Sequence, residues 1–151
     1  MYNLIKPLYM ADYQDKSKKR KPTAYWVVTS ILVLAMIAGG IAQFVQAKFN
    51  TDGFIRLGYP LYSMKIIGTW KVIGGVVLLI PGYRLVKEWA YAGFFVLLTS
   101  AFISHIFSGD SFAQAAGSLT FALLTVVSWY LRPASRGIKA EAELTSIQHT
   151  Y

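Results

Sequence analysis

Four apolar blocks, each bounded by charge or by a proline–glycine breaker, dominate this chain and restrict what it can fold into. Hydrocarbon tolerates neither irregular backbone nor open strand edges, so blocks of near-spanning length are read as helices that satisfy their own hydrogen bonds. The first covers about residues 25–46, with Thr23 as its expected N-cap. The second begins within residues 60–64 and stops at Pro81-Gly82; its run from Ile66 to Ile80 is only about 22 Å long. The third covers 88–107 and the fourth 112–131, where Arg132-Pro133 ends it. Residues 47–63 read as a loop because of Asn50-Thr51-Asp52-Gly53 and Gly58-Tyr59-Pro60. The expected architecture is all-α: an integral membrane four-helix bundle over residues 23–132. A basic tail (1–22) and a polar tail (133–151) flank it, both lacking the apolar period a core needs and so expected to be disordered.

The net charge of +8 invites a nucleic-acid reading, but the basic residues flank apolar blocks rather than forming an aromatic-interleaved face. Charge in that position determines topology. Eleven Lys and Arg fall on the side of the two tails and the second loop, against Lys48 and Arg56 on the other. The expected protein is therefore a multi-pass protein of a bacterial inner (plasma) membrane with both termini cytoplasmic. Trp26, Trp89 and Trp129 would then lie together at the inner interface. The basic run before the first block also resembles a signal peptide, but the block is longer than an h-region and lacks a clear cleavage site.

The inventory of reactive groups is short. Without cysteine there is no thiol chemistry and no thiolate metal site. His105 is the only histidine within a block, so a bis-histidine haem has no second ligand there. His, Asp and Glu show no metal-ligand spacing. Ser104 adjoins His105, but neighbours i and i+1 on a helix do not face each other, which argues against a nucleophile–base pair. A self-contained enzyme is not expected, nor a built-in cofactor.

Lys71 and His105 nevertheless sit inside blocks where a charge costs roughly 2.5–3.5 kcal/mol, and such residues usually have a use. With both termini inside, Lys71, Ser104, His105, Asp110, Gln43 and Gln114 all fall in the outer half, and inner depths look nearly free of polar groups. Lys65 is expected to snorkel outward. Lys71 shares a helical face with Gly68, Gly75 and Leu78. Expected close-packing pairs are Ala35 with Gly39, Ala38 with Ala42, and Ala113 with Gly117. The expectation is that Lys71, His105 and Asp110 meet at the outer end, above an apolar slot. A structural ion pair of Lys71 with Asp110 or Asp52 is the plainer alternative.

The middle of the chain carries an ordered set of motifs: Gly58-Tyr59-Pro60-Leu61-Tyr62, Lys65-Ile66-Ile67-Gly68-Thr69-Trp70-Lys71, Leu78-Leu79-Ile80-Pro81-Gly82, Lys87-Glu88-Trp89-Ala90-Tyr91-Ala92-Gly93-Phe94, and Ser104-His105 with Gly109-Asp110. Over about residues 53–131 this resembles the DoxX-like family of small four-helix membrane proteins. The resemblance implies association with a quinone-linked membrane oxidoreductase, while other relatives act as chaperones or cargo receptors. It also implies a ligand-binding set of Lys65, Trp70, Lys71, Ser104, His105 and Asp110. Two functional readings stand: an accessory or assembly subunit holding a quinone or similar lipophilic molecule, and a purely structural interaction protein. A small transporter or proton relay is a third, disfavoured by the lack of an inverted repeat. The bilayer and membrane oxidoreductase subunits are the expected partners; the oligomeric state is open.

Overall fold

The structure is a computed structural model describing residues 22–133 and 136; the two tails' expected disorder falls outside these residues. Five helices follow one another: α1 (Pro22–Phe44), α2 (Lys48–Arg56), α3 (Tyr62–Leu79), α4 (Arg84–Phe107) and α5 (Phe112–Leu131). All but the short α2 are long and apolar enough to cross a membrane. The protein is a multi-pass integral membrane protein in contact with the lipid bilayer. Leu34, Val96 and Leu123 are each more than half exposed, as side chains facing acyl chains should be.

The spans pack in a ring. The most extensive contact joins α1 to α3, the next joins α4 to α5, and thinner seams close α1 on α5 and α3 on α4. The core is built from Leu32, Val33 and Met36 of α1, Leu78 of α3, Tyr91, Phe94 and Leu98 of α4, and Ala122 of α5. Positions 25, 29, 32, 36 and 43 of α1 recur at helical spacing and are all buried, a single stripe turned inward. The end of the bundle where α1 begins and α5 ends is termed proximal, and the opposite end distal.

Close approach is concentrated at one crossing. A Cβ on Gly68 would lie 2.5 Å from the Gly40 carbonyl oxygen, and one on Gly40 would lie 2.8 Å from that of Gly68. Elsewhere on α3 the neighbours are side chains: a Cβ on Gly75 would lie 2.8 Å from Ile37 of α1, and one on Gly74 2.8 Å from the Phe94 ring of α4. The expected Ala113–Gly117 pair is not a contact of this kind, because a Cβ on Gly117 would meet nothing within 4 Å.

Some boundaries differ from expectation. The segment read as a loop contains α2, which the turn-prone Asn50-Thr51-Asp52-Gly53 run concealed. The Thr51 hydroxyl donates back to the carbonyls of Gln46 and Ala47 and secures its first turn. Helix α4 starts a turn early, at Arg84, because Gly82 and Tyr83 both take left-handed conformations that reverse the chain at once. Thr23 lies within the first turn of α1 instead of capping it. The bounds of α5 agree with expectation, and Ser111 and Gln114 form its capping box.

Candidate functional site

At the distal end, the turn after α4 carries an ion cluster. His105 Nδ1 lies 2.6 Å from Asp110 Oδ2, and Arg56 Nε lies 3.1 Å from Asp110 Oδ1. Gly109 takes a left-handed conformation, and the Asp110 amide donates to the His105 carbonyl, bringing the carboxylate back over the histidine. The Asp110 side chain is only 7% exposed. One carboxylate thus holds the end of α2 to the α4–α5 turn. Beside it, the Tyr59 and Ser104 hydroxyls are 2.7 Å apart, and Ser104 donates to the Ser100 carbonyl. Ser104, His105 and Asp110 are therefore not a catalytic triad, because the partners of Ser104 are Tyr59 and Ser100.

Lys71 lies elsewhere. The expected meeting of Lys71 with His105 and Asp110 does not occur: both carboxylate oxygens of Asp110 are engaged by Arg56 and His105. The face of α3 that carries Gly68, Lys71 and Gly75 packs onto α1, not onto α4. A Cβ on Gly40 would lie 3.0 Å from Lys71 Cβ, and one on Gly39 would lie 3.6 Å from Lys71 Nζ. The side chain thus crosses α1 from Gly40 to Gly39. Gly39 continues the Leu32–Met36 stripe at i+7, so the ammonium is turned toward the bundle interior. Among the described residues Lys71 has no hydrogen-bond or ion-pair partner.

Gln43, expected at the bundle's outer end but not in the ligand set, belongs to the same seam. It is 9% exposed, its Oε1 has no partner among the described residues, and a Cβ on Gly68 would lie 3.3 Å from its Cβ. The signal in the sequence is its register, seven residues beyond Met36 on the buried stripe. Of the other expected ligand residues, Lys65 is exposed and Trp70 is 65% exposed on the outer surface of α3. Gln114 is used in the α5 cap.

The expectation that the inner depths are nearly free of polar groups is overturned. Ser128 Oγ lies 2.7 Å from Thr29 Oγ1 and 2.9 Å from the Tyr91 hydroxyl, joining α5, α1 and α4 in one buried network. Hydroxyls in apolar blocks are easily read as neutral, but each here faces another helix. Nearer the proximal surface, Glu88 pairs with Arg132 and accepts from Trp129 Nε1 at 2.8 Å. Lys87, 2% exposed, donates to the Gly82 carbonyl at 2.9 Å. Arg136 donates to the Leu78 carbonyl at 3.2 Å, with its guanidinium 4.5 Å from the Trp26 ring centre.

Among the described residues no three His, Asp or Glu side chains are grouped to hold a metal ion. The arrangement supplies an unpaired ammonium and an unpaired amide oxygen in one interhelical seam, and structural clips at both ends. No curated protein and no solved structure matches the chain. The model of the DoxX-like family matches residues 27–128, the greater part of the chain and every span, and the chain belongs to that family.

Proposed function

We propose that this protein is an accessory subunit of a membrane oxidoreductase that holds the polar head of a quinone, or of a similar lipophilic carbonyl compound, in the α1–α3 seam. One observation carries the reading: the ammonium of Lys71 is turned into the bundle at mid-span without a counter-charge among the described residues. Helix α3 has 18 residues. At 1.5 Å per residue, Lys71 is about 12–14 Å from either end, beyond the reach of a snorkelling side chain. An unpaired charge at such depth marks a ligand or ion pathway by default. A carbonyl oxygen accepts from an ammonium, and the amide of Gln43 offers a second polar contact. The inward-facing apolar side chains of α1 and α4 suit a lipophilic body. The excess of positive charge at the proximal end supports placing that end in the cytoplasm, and the ligand head midway across the bilayer.

The test is extraction of the full chain in mild detergent from its host membrane, with mass spectrometry of the co-purified lipids. A quinone retained by the wild type and absent from Lys71→Met supports the reading. Equal quinone in both, at the level of an unrelated four-span protein, overturns it. In that case the interaction-protein reading stands, favoured by the Thr29–Ser128–Tyr91 network that fixes how three helices meet.

A further inference from the structure

Two cations at the proximal end, Lys87 and Arg136, lack an acidic partner among the described residues. Glu88 is the only described acid there, and it is engaged by Arg132 and Trp129. Lys87 and Arg136 bond instead to Gly82 and Leu78, carbonyls four residues apart at the end of α3 and in the turn that follows it. Their like charges are close enough to oppose one another. An ammonium has three donors, and Lys87 uses one. A covered cation beside a second cation is costly unless an anion completes it.

The neighbouring surface indicates what kind of anion. Trp26, the ring beneath the Arg136 guanidinium, also forms one wall of an open groove of about 640 Å³ along α1, lined by Thr23, Trp26, Val27, Ser30 and Ile31. The groove runs from Trp26, beside Arg136, along the first turns of α1 as far as Ile31. Trp26 and Trp129, partly exposed at this end, mark it as the depth of the headgroups. A free anion would have no use for the groove, whereas a lipid would fill it with an acyl chain.

We propose that Arg136, with the covered charge of Lys87 behind it, forms a binding site for the phosphate of one anionic phospholipid, with an acyl chain lying in the α1 groove beside Trp26. The site is separate from the Lys71 seam and independent of what that seam binds. The lipid phosphate supplies the counter-charge that the described residues lack. Arg136 is then held at the membrane surface partly by lipid.

The test uses the full chain, delipidated in detergent and titrated in native mass spectrometry with phosphatidylglycerol, phosphatidylcholine or inorganic phosphate. The wild type should retain one phosphatidylglycerol at lower concentration than phosphatidylcholine. Arg136→Gln, which keeps a donor for Leu78, should lose about fivefold of that preference, and Lys87→Gln a similar amount. Val27→Trp, which obstructs the groove without changing charge, should weaken both lipids alike. Because Lys87 is covered, its variant counts only if its melting temperature matches the wild type; Arg136→Gln decides the matter otherwise. No preference in the wild type, or an unchanged preference in Arg136→Gln, overturns the proposal. Stabilisation by inorganic phosphate equal to that by phosphatidylglycerol overturns the lipid assignment.

Discussion

Gly40 and Gly68 face each other so closely that neither position has room for a methyl group: a Cβ on Gly68 would fall 2.5 Å from the Gly40 carbonyl oxygen. Backbone cannot move aside as a side chain can, so Gly68→Ala must spread α1 from α3. The expected loss is about 1–3 kcal/mol, the usual cost of overpacking, read as a lower melting temperature in detergent. Gly117→Ala is the control. It meets nothing within 4 Å and should be neutral or slightly stabilising, since alanine favours the helix.

On the proposed function, Lys71 should separate folding from ligand binding. Lys71→Met removes an unpaired charge that no described residue neutralises, so the bundle should be as stable as the wild type or more stable. The lipophilic ligand that the proposed function assigns to the wild type should no longer co-purify. Thermal unfolding and lipid mass spectrometry on the same sample check both halves. A large drop in stability would show that the ammonium holds the seam together.

Asp110 is the distal counterpart, and it behaves oppositely. Its carboxylate serves Arg56 and His105 at once while nearly buried. Asp110→Asn should cost about 1–3 kcal/mol through partners left unsatisfied. Release of α2 should follow, seen as faster proteolysis between Arg56 and Tyr62. Arg56→Gln, at a residue half exposed, should cost well under about 1 kcal/mol.

Ser128 links Thr29 and Tyr91, so their contributions should not add. Ser128→Ala and Tyr91→Phe are each expected to cost about 0.6 kcal/mol, the average for hydrogen bonds between membrane helices. The double variant should cost less than the sum. A double-variant cycle on melting temperature provides the number.

The orientation expected from loop charge is open to direct test. Reporters fused after Asp52 and after Asp110 should read as extracytoplasmic, and one after Arg84 as cytoplasmic. The reverse pattern would invert every statement of depth that depends on leaflet.

The spans are legible in the sequence because length and apolarity decide them almost alone, and α5 agrees to the residue. Helix α2 is not, since Asn50, Asp52 and Gly53 favour turns and the hydroxyl of Thr51 outweighs them only in place. The distal pair of His105 with Asp110 is legible as two polar residues flanking one turn. Arg56, the third member, lies 54 residues from Asp110 in sequence, and only the fold brings it there. Lys71 stands out in the sequence as unusual, yet its neighbours there are misread. Its register with Gly68 and Gly75 states which face it occupies and not which helix that face meets. Thr29, Tyr91 and Ser128 escape notice for a related reason: a hydroxyl in an apolar helix gains significance only from what stands opposite.

The pairing of α1 with α3 also bears on how the chain enters the membrane. Among the four spans α3 is the shortest, and it alone carries a charge at its midpoint. It is a poor candidate to leave a translocon for lipid unaided. The glycine track of α1 offers it a surface on which both backbones close and the lysine is shielded from acyl chains. Helix α1 thus offers α3 a matched surface within the membrane, and a side chain added at Gly40, 2.8 Å from the Gly68 carbonyl oxygen, should impair the entry of α3 as well as the stability of the finished bundle.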